Sequence, residues 1–403
     1  MLIKITKCMK LNRFFSNFES DELKRFTNLN LNKKQIVFYS ENQNSWIIFE
    51  SIINELINNH NVDICYVTSS KEEPVLKINN KKINTFYIGE GISRTKFFLN
   101  LKTNILIMTM PDLETFHIKK SKVHYVHYAY IFHAMVSTHL VYRKNAFDNF
   151  DSIFCVGEYQ IDEIKNTEKI YNLKPKKLHK SGYIHLDNLI KKYSIINKEE
   201  SKQTQILLAP SWGKNGLFET IIEDVIEILL KSKYKVILRP HPMSLKLSKK
   251  KIKSIEKKFL TNHDFKLELE LPNFDSFLFS DIMISDWSGV ALEFAFAFEK
   301  PILYIDVPKK INNPDFENIP NIPIEVSIRE KIGKIILPSE IELIPNQIEN
   351  LKIESYKIKK EIKKIRENMI FNIGNSEKKI AESIIEILNE SKSNENYFNK
   401  KKS

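Results

Sequence analysis

From Gln35 onward, short runs of β-branched and aromatic residues alternate with longer stretches whose apolar positions recur every three to four residues. The runs QIVFYS (35–40), VDICYVTS (62–69), INTFYIG (83–89), NILIMTM (104–110), VHYVHY (123–128) and DSIFCVG (151–157) predict buried strands. Between the first two, SWIIFESIINELI (45–57) predicts an amphipathic helix, and another opens at Glu158. Strands and helices alternating at this spacing predict an α/β fold, a parallel sheet with crossover helices. Residues 1–34 show no such rhythm.

The rhythm lapses in KKYSIINKEESKQT (191–204), and a second series then starts. It runs through QILLAPSW (205–212), a helix from Leu217 to Leu230, KVILRPHP (235–242), a Lys-rich helix and FKLELE (265–270). A strand at Ile282–Ile284, a helix over Val290–Phe298 and a strand at Ile302–Ile305 follow. Two Rossmann-like domains are therefore expected, 1–194 and 205–390, joined by a linker at 195–204, with the carboxyl edges of their parallel sheets facing a central cleft. Past Pro338 the pattern is Lys/Glu/Ile helix, and the polar tail 391–403 is expected to be disordered.

Ligands of open parallel sheets bind at the carboxyl edge. Three turns of the second half follow strands there: APSWG with Ser211, RPHP with Arg239 and His241, and SDWSG with Ser285, Asp286, Ser288 and Gly289. SDWSG opens a helix, whose first N–H groups lack intrahelical partners and attract phosphate. Ser288 is placed to cap that helix, and Gly289 to let an anion approach the backbone. The plainer alternative is an ordinary cap on a buried helix. Arg239 and His241, stiffened by Pro240 and Pro242, suit a diphosphate, the alternative being a kinked loop with a surface Arg and a structural His.

In the first half, VHYVHYAYIFHAMVSTH (123–139) holds four histidines. His124 and His127 fall on opposite faces of the predicted strand and make no metal pair, whereas His133 and His139 lie past its end, at the cleft. A His there suits general base catalysis, or a structural role bonded to backbone. With no metal-ligand spacing and no Asp-x-Asp motif, a site without metal or cofactor is expected.

Charge changes this picture little. Of 62 basic residues only seven are Arg, and the lysines are interleaved with 50 acids, so the net charge of +12 reads as compositional bias. No nucleic-acid motif accompanies it, and a basic face toward anionic lipid is the better expectation. Cys8, Cys65 and Cys155 are isolated, as in a reducing compartment. No signal peptide or membrane span is apparent, so a protein of the cytoplasm or of the cytoplasmic face of the membrane is expected.

LLAPSWG, ILRPHP and FLFSDIMISDWSGVALEFAFAFEKPILYIDV, in that order, resemble the C-terminal half of the CDP-glycerol glycerophosphotransferase family of teichoic-acid-type polymer synthesis, over about 205–310. The resemblance implies a GT-B architecture and transfer of glycerol phosphate, or a similar polyol phosphate, from a CDP-linked donor to a hydroxyl of a lipid-linked or glycan acceptor, with release of CMP. It also implies that His241 contacts the donor diphosphate and that Ser288 and Gly289 stand for the family's paired small residues, with Trp287 replacing Tyr. Glu293 stands where the family has Asp. The family's Trp-His-Gly-Thr-Pro motif is matched by IFHAMVSTH, which places His133 as the base but lacks the Gly, Thr and Pro. Two other readings keep these residues: a GT-B glycosyltransferase or epimerase acting on a nucleotide sugar, and a non-catalytic binding module.

Overall fold

The computed structural model describes residues 18–115, 117–196, 203–269 and 274–402, with side chains up to 392. Cys8 and most of the expected linker lie outside these residues. Among the described residues, thirteen strands form two all-parallel sheets. In the first, β1 (Ile36–Ser40), β2 (Ile64–Thr68), β3 (Ile83–Tyr87), β4 (Ile105–Met108), β5 (His127–Ile131), β6 (Ser152–Cys155) and β7 (Lys177–Lys180) lie in the order 3-2-1-4-5-6-7. The second holds β8 (Gln205–Leu208), β9 (Lys235–Leu238), β10 (Phe265–Leu267), β11 (Ile282–Ser285), β12 (Ile302–Ile305) and β13 (Gly333–Ile336), in the order 10-9-8-11-12-13. Each order reverses beside its own first strand, the doubly wound pattern that opens a crevice at the carboxyl edge.

Central strands carry continuous apolar runs because helices cover both faces of the sheet. β1, β4 and β12 are buried at every position. The helix Trp46–Asn59 buries Trp46, Phe49, Ile53, Leu56 and Ile57, the spacing of one helical face. Each large side chain so buried contributes roughly 1.5–3 kcal/mol.

The fifth strand differs from its predicted position. Val123 and Tyr125 are exposed, and the strand is HYAYI, whose register pairs Ile105 with His127 and Ala129 with Ser152. Alternation in VHYVHY suggested a half-buried strand, but a strand between β4 and β6 has no solvent face, so the apolar run two turns of pleat further on takes the place. The edge strands β7 and β13, with lysines in KLHK and GKII, carry too weak a pattern to be seen in the sequence.

The last helix, Ser376–Lys402, returns to the first half. It packs on the helix Trp46–Asn59 with Ile380, Ala381, Ile384, Ile387 and Leu388 buried. Asp187 of the first half accepts the backbone N–H groups of Gly374 (2.8 Å) and Ser376 (3.0 Å), satisfying donors that open the helix. The chain therefore crosses between the halves twice, and the polar tail continues this helix in backbone to Lys402.

Candidate active site

The turns after β8, β9, β11 and β12 lie at the carboxyl edge of the second sheet, and SDWSG ties those after β8 and β12 to its own. Ser285 Oγ donates to the Ala209 carbonyl at 2.7 Å. The Asp286 carboxylate accepts from Ser211 N (2.6 Å), Ser211 Oγ (2.9 Å) and Leu217 N (3.0 Å), so it fastens the APSWG turn and the start of the next helix. Trp287 Nε1–H donates to the Val307 carbonyl at 2.8 Å, holding the turn after β12. Gly213, at φ +136, takes a conformation that side chains disfavour and lets APSWG fold over this network.

These bonds revise several expectations. Ser211, Ser285 and Asp286 are buried, with their polar atoms bonded to protein, so they build the turn instead of facing a donor. The residue that precedes the helix Val290–Phe298 is Gly289, not Ser288, and no side chain caps it. A Cβ on Gly289 would lie 2.8 Å from Val136 Cγ1, so the missing side chain makes room for the first half's histidine loop. Glu293, one turn along, accepts from Tyr183 Oη at 2.8 Å and lies 3.7 Å from His185 Nε2, which makes it an inter-half contact.

Arg239 also departs from its expected role. Its guanidinium is 7% exposed, pairs with Glu268 at 2.8 Å and lies over the Phe274 and Phe277 rings at 4.7 and 5.2 Å. Ser276 Oγ bonds the same carboxylate oxygen at 2.7 Å. This buried pair joins the carboxyl ends of β9 and β10, so the Arg239 charge is met within the protein. No local pattern points to this pair, because Glu268 comes from the next strand's end, 29 residues away.

His241 does stand at the edge. Its Nδ1 accepts the Met243 N–H at 3.0 Å as the cap of the helix Pro242–Leu247, so Nε2 carries the proton of the neutral ring. Burial, helped by Lys310, pulls its pKa down to about 4. At neutral pH His241 is therefore an uncharged hydrogen-bond donor. Its ring lies 6.1 Å from that of Trp212, which with Gly213, Lys214, Met243, Ser244 and Leu247 lines an open cleft of about 440 Å³.

His133 follows β5 in the first half. Its Nδ1 lies 3.1 Å from the Thr109 carbonyl, which only accepts, so Nδ1 holds the proton and Nε2 presents its lone pair. The residue is exposed to solvent, although protein atoms crowd around its ring. That crowding lowers the pKa below the usual His value, against the smaller opposing effect of the Thr109 bond. Tyr183 Oη lies 2.9 Å from the His133 carbonyl and, through Glu293, links this loop to the second half.

The remainder of the loop is strapped across the cleft. Ser137 N donates to Glu325 at 2.7 Å, Thr138 N and Oγ1 to Glu163 at 2.6 and 2.8 Å, and His139 Nε2 to the Asn321 carbonyl at 3.1 Å. His139 is buried, and although burial alone would lower its pKa, Glu163 beside it raises it. Its two nitrogens face protein, so it is a structural residue. Among the described residues no group of three or more His, Cys, Asp or Glu is placed to hold a metal, and no helix is long and apolar enough to cross a membrane.

Two doubly wound parallel sheets, with the His133 loop at the carboxyl edge of one and His241 at that of the other, define a GT-B type of fold. The chain belongs to the CDP-glycerol:poly(glycerophosphate) glycerophosphotransferase family, whose profile matches residues 22–386, and it is an enzyme that uses CDP-glycerol. Among solved structures it is similar to the wall teichoic acid polymerase TagF soaked with CDPG, with 13% identity over 96% of this chain and 98% of that one and a TM-score of 0.57. It is also similar to the UDP-GlcNAc 2-epimerases of Neisseria meningitidis (16% identity, 87% of this chain and 99% of that one, TM-score 0.58) and Methanocaldococcus jannaschii (15%, 87% and 98%, 0.53). At such identities these likenesses concern the fold. No curated protein sequence matches the chain.

Proposed function

We propose that the chain moves glycerol phosphate from CDP-glycerol to a hydroxyl of a lipid-linked or glycan acceptor, with His133 as general base. The carrying observation is the Thr109 bond, which fixes the His133 tautomer with Nε2 open. The acceptor hydroxyl attacks the phosphorus that bears glycerol and forms the new P–O bond. The bond to the bridging oxygen breaks, CMP leaves with the electron pair, and the hydroxyl proton passes to Nε2. His241 donates its Nε2–H to the diphosphate without adding charge. A lowered His133 pKa suits this role, because the ring is already deprotonated at neutral pH.

The acceptor side of the proposal draws on the helix Lys249–Phe259. It buries Ile252, Ile255 and Phe259 and carries six lysines, while Leu247 and Leu260 at its flanks are 67% and 73% exposed. Exposed leucines beside a lysine face suit reversible contact with an anionic membrane on its cytoplasmic side. Co-sedimentation with anionic vesicles should weaken steeply with salt; binding indifferent to salt would remove this part.

The central test offers CDP-glycerol, CDP-ribitol and UDP-GlcNAc to the parent and to His133→Ala, following CMP or UDP release and calorimetric affinity. CDP-glycerol turnover should fall at least about 10²-fold in the variant with affinity nearly unchanged. Turnover within a few-fold of the parent would exclude His133 as base. UDP-GlcNAc as the better substrate would exclude the transfer itself.

A further inference from the structure

With Arg239 paired to Glu268 and His241 neutral, the donor edge of the second half needs a positive charge from elsewhere. Lys310 stands there, in the turn after β12. Its ammonium rests on the Trp212 indole, 3.7 Å from the ring centroid, in the group that includes His241. Among the described residues it makes no ion pair, because the nearby Asp286 carboxylate is bonded to Ser211 and Leu217. Trp287 holds the turn through the Val307 carbonyl, three residues before Lys310. An indole face stabilises a cation only modestly when water is near, so a phosphate oxygen within reach would win the ammonium.

We infer that Lys310 is the cation that binds the phosphate groups of the donor and neutralises the charge on the departing nucleotide, with Trp212 as its resting place in the unliganded protein. The inference rests on the CDP-linked donor proposed above, and it gives that site its charge. Burial draws the free ammonium down to about 8, partly offset by Asp286, so a bound anion would restore the protonated form. Three features agree: a half-buried lysine, an aromatic rest, and a neutral hydrogen-bond donor alongside. Together they describe a subsite for a diphosphate ester rather than for a neutral sugar.

The test compares the parent, Lys310→Met and Lys310→Arg by calorimetry with CDP-glycerol, CMP and cytidine, and by CMP release. Lys310→Met should lose at least about tenfold in CDP-glycerol affinity and more in turnover, while cytidine, which has no phosphate, binds all three alike. Lys310→Arg should keep most of both. Because Met keeps an unbranched chain of similar length against Trp212, the circular dichroism spectrum should not change. Lys310→Met binding CDP-glycerol within twofold of the parent would overturn the inference. Should the parent itself ignore CDP-glycerol, the donor proposal fails, and UDP then decides about Lys310: a tenfold loss in Lys310→Met upholds it, and equal binding or none in the parent overturns it.

Discussion

Replacing Gly289 by Ala adds one methyl group at the point where the two halves touch. The backbone there, φ −59 and ψ −24, accepts any residue, so the substitution brings no backbone strain and removes unfolded-state freedom worth about 0.4–1 kcal/mol. Against this, the new Cβ would lie 2.8 Å from Val136 Cγ1, closer than carbon atoms approach without repulsion. Val136 is 5% exposed and stiff about χ1, so relief has to come from the loop backbone. Overpacking of this kind costs about 1–3 kcal/mol, which leaves a net loss of roughly 0–2.6 kcal/mol. The larger effect falls on His133, three residues before Val136. A shift near 1 Å at a reacting group lowers rate by about 10²-fold, so CMP release should drop between tenfold and a hundredfold. Calorimetry should show CDP-glycerol affinity within about threefold of the parent. Val136→Ala in the same chain removes the colliding methyl group and should recover most of the turnover, a coupling that a double-mutant cycle measures directly. Parent-like turnover in Gly289→Ala would refute the contact argument. Loss of affinity with no recovery from Val136→Ala would return Gly289 to a phosphate cradle.

Arg239→Met leaves Glu268 charged and buried with, among the described residues, Ser276 as its side-chain donor, which should cost about 3–5 kcal/mol in urea unfolding, while CDP-glycerol affinity of the folded protein stays within threefold. A tenfold affinity loss at parent stability would instead make Arg239 a donor ligand. Glu325 links pH to stability: burial, with a smaller push from Glu163 and against the Ser137 N–H, raises its carboxyl from 4.5 to about 7. The folded state then binds more protons than the unfolded one between those values, so stability falls as pH rises from 4.5 to about 7, by up to the order of 3 kcal/mol. Glu325→Gln keeps an acceptor for Ser137 and should flatten that fall in urea titrations at pH 5 and 8; an unchanged pH slope would rule out Glu325 as its source.

Much of the fold was open to reading because parallel central strands write themselves as unbroken apolar runs. IVFYS, ILIM, IMIS and ILYI could hardly serve elsewhere, and the turns that follow such strands fall on the ligand edge by topology alone. His133 and His241 were singled out in that way, and both do follow the ends of strands, β5 and β9. What misled was pairing at a distance. Arg239 drew notice as one of seven arginines, yet its function depends on Glu268 across the sheet. Lys310 escaped notice because lysine is common everywhere in this chain, and only the fold sets one of many ammonium groups over Trp212.

SDWSG shows most clearly why residue type and residue role can separate. Each member except Ser288 reaches beyond its own turn: Ser285 and Asp286 to Ala209 and Ser211 of APSWG, Asp286 also to Leu217, Trp287 to Val307, and Gly289 to Val136. A sequence pattern of small and acidic residues before a helix looks like an anion cradle because anion cradles and junctions make the same demands on the chain: little bulk, and polar atoms that bond backbone groups. The junction has a chemical consequence that a cradle lacks. Trp287 holds the turn that carries Lys310, and Gly289 two residues later supports the loop that carries His133. One short segment thus fixes the spacing between the proposed cation, Lys310, and the proposed base, His133. In-line phosphoryl transfer depends on that spacing more than on any single contact.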